Sequence, residues 1–142
     1  MSYQEQIEKL YQAYVEEGTA LEKKRKPWEG IFGFGKKPAD DPCHTQFIQA
    51  LEEQLSSFRE AGIPSAEARD VLRLVFRYPV DHPCPASVYW MLLAAHGTAF
   101  GLIPHLREAD AAALKTEYEA LYPRRGRLPV QNQVLKALEK VR

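Results

Sequence analysis

Pro85-Ala86-Ser87-Val88-Tyr89-Trp90-Met91-Leu92-Leu93-Ala94-Ala95-His96-Gly97-Thr98-Ala99-Phe100-Gly101-Leu102-Ile103-Pro104 contains no Asp, Glu, Lys or Arg, and the uncharged run extends from His82 to Leu106. A run of that length can cross a bilayer. Three prolines, two glycines, three histidines, Ser87 and Thr98 within it argue against a membrane span. Val88, Tyr89, Met91, Leu92, Ala95, Ala99, Phe100, Leu102 and Ile103 place apolar groups nearly all round a helix, which predicts a central helix in a soluble all-α bundle. Ala94, Ala95, Gly97 and Gly101 are small enough to let neighbouring helices approach closely. Pro104 should bend or end the helix.

Outward from this segment, helical periodicity continues in both directions. Towards the N-terminus, Ala68, Val71, Leu72, Val75 and Tyr78 form a stripe that Ser65 should cap and Pro79 should stop. Before it, Phe47, Ile48, Leu51, Leu55 and Phe58 follow Asp41-Pro42, a cap and first-turn pair, and Gly62 closes that helix. The first helix, about Tyr3 to Lys24, carries Ile7, Leu10, Tyr11, Tyr14, Val15, Gly18 and Leu21 at three- and four-residue steps. Towards the C-terminus, Glu108 to Leu121 should turn Ala113, Leu114, Tyr118 and Leu121 inward, and Pro123 closes it. A last helix opens at Pro129 with Val130, Val134, Leu135, Leu138 and Val141 inward. No alternating strand pattern occurs. Residues 1–142 thus read as one all-α domain, an irregular bundle of five or six helices. A glycine- and aromatic-rich loop of about residues 26–40 joins the first two. Helix pairs joined by short turns also suit a stacked repeat, but no sequence period supports one.

A length of 142 residues, with 45% hydrophobic and 27% charged residues, suits a globular domain that buries a core without disulfides or metals. Cys43 and Cys84 make no disulfide framework, and the polar, acidic N-terminus is no secretory signal, so a cytoplasmic protein with reduced thiols is expected. The formal net charge is zero but unevenly placed: −3 over residues 1–20, +4 over 21–37, −6 over 38–122 and +5 over 123–142. A neutral chain is a poor dedicated nucleic-acid binder, while its two basic segments remain able to hold anions locally.

The loop Trp28-Glu29-Gly30-Ile31-Phe32-Gly33-Phe34-Gly35-Lys36-Lys37 comes within one residue of a phosphate-binding loop. Lys37 stands where the magnesium-binding hydroxyl belongs, no strand leads into Gly30, and Pro38 follows where a helix should open, so nucleotide hydrolysis is not indicated. Lys23, Lys24, Arg25 and Lys26 before it, with Trp28, Phe32, Phe34, Lys36 and Lys37 in it, suit a contact surface for a protein partner; the same residue types can also stack on single-stranded nucleic acid or meet an anionic membrane. The competing expectation is that Trp28, Ile31, Phe32 and Phe34 plug the bundle's own core.

Two further constellations stand out. Cys43-His44 and His82-Pro83-Cys84 could together supply two thiolates and two imidazoles to zinc if the helix starts met, although the spacing within each pair fits no known zinc motif; packing and capping roles suit them better. Arg124, Arg125 and Arg127 precede the last helix, whose free amides favour anions. Gln131, Asn132, Gln133 and Lys136 follow and could read base edges if the helix entered a groove; a solvated basic turn is the simpler expectation. His96 and His105 lack a local acid and nucleophile, and no Glu-x-x-His, Gly-x-Ser-x-Gly or Gly-x-Gly-x-x-Gly pattern occurs. The sequence therefore reads as a non-enzymatic interaction domain using residues 23–37, without a cofactor. Anion binding through the arginine turn and a metal or thiol site are the alternatives.

Overall fold

A computed structural model of the chain describes the backbone of residues 2–24, 42–81 and 88–141, and the side chains of residues 2–17, 45–81 and 94–141. Among the described residues there are six α-helices and no strand: α1 (Tyr3–Lys24), α2 (Pro42–Glu60), α3 (Ser65–Asp81), α4 (Val88–Leu102), α5 (Glu108–Leu121) and α6 (Pro129–Glu139), with a 3₁₀ turn at Ile103–His105. The bundle is all-α, as the periodicity predicts.

Its helices pack in a definite order. α1 lies on α2, α3 on α4, and α5 on α6; α1 also meets α3, α3 meets α5, α2 meets α4, and α4 meets α6. Three successive pairs are thus laid side by side in two layers, α1-α3-α5 and α2-α4-α6. This order arises without any repeat in the sequence.

Aromatic contacts, most of them edge-on, lock the helices together. Tyr3 meets Phe58 at 4.5 Å between ring centres and Tyr14 meets Phe47 at 4.3 Å, so α1 and α2 run antiparallel. Tyr11 bridges Phe47 of α2 and Tyr78 of α3, each at 5.0 Å. Phe76 of α3 meets Tyr118 of α5 at 4.8 Å. Each such pair adds about 0.5–1.5 kcal/mol beyond simple burial. The stripes read from the sequence are largely those buried: Ile7, Tyr11, Leu51, Leu55, Val71, Leu72, Leu114 and Leu138 are all inside.

The turn between α2 and α3 shows why Gly62 ends a helix. Its φ of 73° is left-handed. The Gly62 N–H donates to the Arg59 carbonyl and the Ile63 N–H to the Phe58 carbonyl, both at 3.1 Å, while Ile63 and Phe58 are buried. This paired closure satisfies two orphan carbonyls and needs a residue without Cβ at the left-handed position.

Four local expectations are corrected. Pro79 does not stop α3, which continues to Asp81 with the proline ring buried. A proline near the last turn forfeits only one helical bond, and packing offsets it. Ser65 does not cap α3; its hydroxyl accepts the Arg107 N–H at 2.8 Å and donates to Asp110 Oδ2 at 2.6 Å, joining the start of α3 to the start of α5. In α5 the buried positions are Ala111, Leu114 and Tyr118; Ala113 is exposed and Leu121 half-buried. In α6 the helix ends at Glu139, and Gln131 joins Val134, Leu135 and Leu138 inside. No helix among the described residues is long and apolar enough to cross a membrane.

Candidate functional site

α4 packs against α2, α3 and α6, as a central helix should. Yet one side of it stays open: Ala94, Ala95, Thr98 and Ala99 are buried, whereas His96 is half-exposed, Gly97 is exposed and Phe100 is 51% exposed. An uncharged helix with an aromatic ring in water is the anomaly of this fold.

Beside that open side runs a groove between α2 and α4, about 390 Å³ in volume. Ile48, Leu51, Leu55 and Ala94 give it an apolar lining, and Glu52, Ser56, Arg59 and Thr98 supply polar groups. Small residues make the space. Among the described residues a Cβ added at Gly97 would meet nothing within 4 Å, so this glycine opens the groove and brings none of the described helices closer. Gly101 has the opposite surroundings: Arg59 Nη1 lies 3.2 Å from where its Cβ would be. Arg59 also donates to Ser56 Oγ at 3.1 Å, which lays the guanidinium along the groove. The Thr98 hydroxyl donates to the Ala94 carbonyl at 2.8 Å and so brings no unsatisfied group to the floor. Across the other side of α4, His96 Nε2 donates to Gln133 Oε1 of α6 at 2.8 Å, and the His96 ring lies tilted against Phe100 with ring centres 4.7 Å apart.

The outer face of α2 is acidic, with Glu52, Glu53 and Glu60 along a shallow second groove shared with Gln49, Ser56 and Ser57. Among the described residues none of these three carboxylates has an ion-pair partner. The bases of α3 and α5 are spent differently. Arg69 reaches Asp110 and Arg73 reaches Glu117, both at 2.9 Å, and Lys115 reaches Glu139 of α6 at 2.9 Å.

The arginine turn is built by the residues around it. Tyr122 Oη donates to the Phe76 carbonyl of α3 at 2.6 Å, and Arg127 Nε donates to the Tyr122 carbonyl at 2.7 Å. Gly126 closes the turn at a φ of 94°. Burial, with the nearby Asp81 charge, pushes the Tyr122 hydroxyl up to about 12. Arg124 and Arg125 are exposed and, among the described residues, have no acidic partner; Leu128 beside them is 37% exposed. Gln131 turns inward, and its Oε1 accepts the Leu128 N–H at 2.7 Å, which satisfies one free amide at the start of α6. Only Asn132, Gln133 and Lys136 of the polar set face outward, with Gln133 already engaged by His96.

The loop residues Trp28, Phe32, Phe34, Lys36 and Lys37 lie outside the described residues, as do His82 and Cys84. Cys43 and His44 belong to the first turn of α2, and their side chains are likewise outside the description. Among the described residues no group of three or more His, Cys, Asp or Glu converges as a metal site. The α2/α4 groove was not legible as a site. Its one sequence signal was the set of small residues on α4, which equally suits close packing. No family model, curated protein or solved structure matches this chain.

Proposed function

We propose that this chain is a non-enzymatic interaction domain that receives a segment of a protein partner on the face formed by α2 and α4. The observation that carries the proposal is a groove of about 390 Å³ between α2 and α4, opened at the exposed Gly97 of an uncharged helix. A small-residue groove with an apolar floor suits a helical or extended segment whose apolar side chains enter between two helices. By composition, residues 23–37 add aromatic and basic contact groups to the same role, chiefly Trp28, Phe32 and Phe34.

Gly97→Trp tests the groove. Gly97 lines the groove and a Cβ there meets none of the described residues within 4 Å, so a bulky side chain at this position occupies the groove. Partners retained from a cell extract by the native protein should be lost by G97W. Identical retention by both proteins would remove the groove from this role, and loss only with W28A/F32A/F34A would assign it to the loop.

A second reading has its own support. Arg124 and Arg125, exposed and without acidic partners among the described residues, leave two cations free to meet an anion such as nucleic acid. Fluorescence titration with a labelled oligonucleotide should then show affinity that falls steeply with salt. No binding at low salt would end it.

A further inference from the structure

We infer that the α2/α4 face takes a second copy of this chain, whose Arg124–Leu128 turn enters the groove, so that molecules join head to tail. This inference rests on the reading of that face as a docking surface, and it names the occupant.

The two surfaces match in chemistry. The turn presents one apolar side chain, Leu128 at 37% exposure, beside the exposed cations Arg124 and Arg125. The groove presents an apolar floor, with Leu51, Leu55 and Ala94, and at its rim the carboxylates of Glu52 and Glu53 outnumber the single cation of Arg59. Neither set of charges is neutralised within the molecule among the described residues. The neutral total of the chain therefore conceals two opposite, unsatisfied surfaces.

The turn is also prepared for docking. The Tyr122 bond to Phe76 and the Arg127 bond to Tyr122 hold it before any partner arrives, which lowers the ordering cost of association. The turn joins α5 to α6, whereas the groove of the same molecule lies between α2 and α4. Tyr122 holds it near the C-terminal end of α3, by Phe76 and Asp81, whereas the groove runs along α2 to Arg59, beside Gly101 near the end of α4. A turn that meets a different surface on its neighbour makes a heterologous contact, which propagates as a chain or closes as a ring. Paired charges at its rim make it sensitive to salt.

Sedimentation velocity on nuclease-treated protein at low salt tests this. The mass should rise with concentration above the 16.2 kDa of one chain and return to it at high salt. R124E/R125E and E52K/E53K, all at exposed positions, should each weaken association by about tenfold or more, since like charges then face each other. Mixing the two variants should restore it, because each reversed surface then finds its complement. A protein monomeric at every concentration would overturn the inference. So would unchanged association in either variant, or association present only before nuclease treatment, which would return the arginines to a polyanion. If the protein is monomeric but G97W still loses its partners, the docking face stands and only the second copy falls; if G97W is silent in both assays, both fall.

Discussion

Ser65 and Asp110, 45 residues apart, share a 2.6 Å hydrogen bond in which the hydroxyl donates to the carboxylate. The same hydroxyl accepts the N–H of Arg107, the residue before α5. Arg107 has no side-chain oxygen to cap its own helix, so α5 borrows one from α3. Ser65→Ala should therefore cost about 1 kcal/mol of stability. Urea denaturation followed by circular dichroism measures this; an unchanged midpoint would show that the bond contributes nothing.

The hydroxyl of Ser65, and then the guanidinium of Arg69, hold the Asp110 carboxyl below its usual value. A carboxyl lowered in the folded state contributes stability that is complete above the unfolded value of about 4 and is lost as pH falls through the folded value. D110N should flatten the acid limb of the stability curve while leaving the neutral region parallel to that of the native protein. Stability measured between about pH 2 and pH 7 checks it.

At the alkaline end the tyrosines act. Burial raises the hydroxyls of Tyr11, Tyr118 and Tyr122. A group raised in the folded state contributes stability present below its unfolded value, about 10, and lost as pH climbs through the folded value. Unfolding above about pH 10 should be cooperative, accompanied by the ultraviolet absorbance of phenolate. Tyr11 is also fully buried with no hydrogen-bond partner for its hydroxyl among the described residues. Tyr11→Phe should be neutral or stabilising by up to about 1 kcal/mol, whereas Tyr122→Phe, which forfeits the bond to Phe76, should cost about 1 kcal/mol.

Gly62 and Gly97 should answer the same substitution with opposite signs. At Gly62 the φ of 73° makes any Cβ unfavourable, and G62A should cost about 1 kcal/mol. Gly97 sits within α4 where an added Cβ meets none of the described residues within 4 Å, and G97A should gain about 0.5–1 kcal/mol. Thermal melts of the two variants settle the comparison; a loss at Gly97 would mean that the groove is not open.

The helices were legible because each buries one stripe, and periodicity records a stripe. Gly62 was legible because left-handed backbone has few alternatives. Phe100 was not: where nearly every position of α4 is apolar, no period marks the side that meets water. Ser65 was read as a local cap because its partner lies on another helix, and chain spacing carries no trace of that distance. Gln131 looked like a solvent residue until folding gave its amide oxygen the Leu128 N–H to accept. Pro79 broke its rule because burial of its ring compensates for the missing bond.

The serial arrangement of helix pairs has a mechanical consequence. α6 leans on α4 and α5, and α1 leans on α2 and α3, so among the described helices each end of the array is held from one side only. α3 and α4 are held from both. Pulled or heated, such a molecule frays from its ends inward, and amide exchange would be slowest in α3 and α4. The charged surfaces through which two copies would join thus include the α5–α6 turn at one margin of the array. Joining would hold down a part of the chain that is otherwise the easiest to lift.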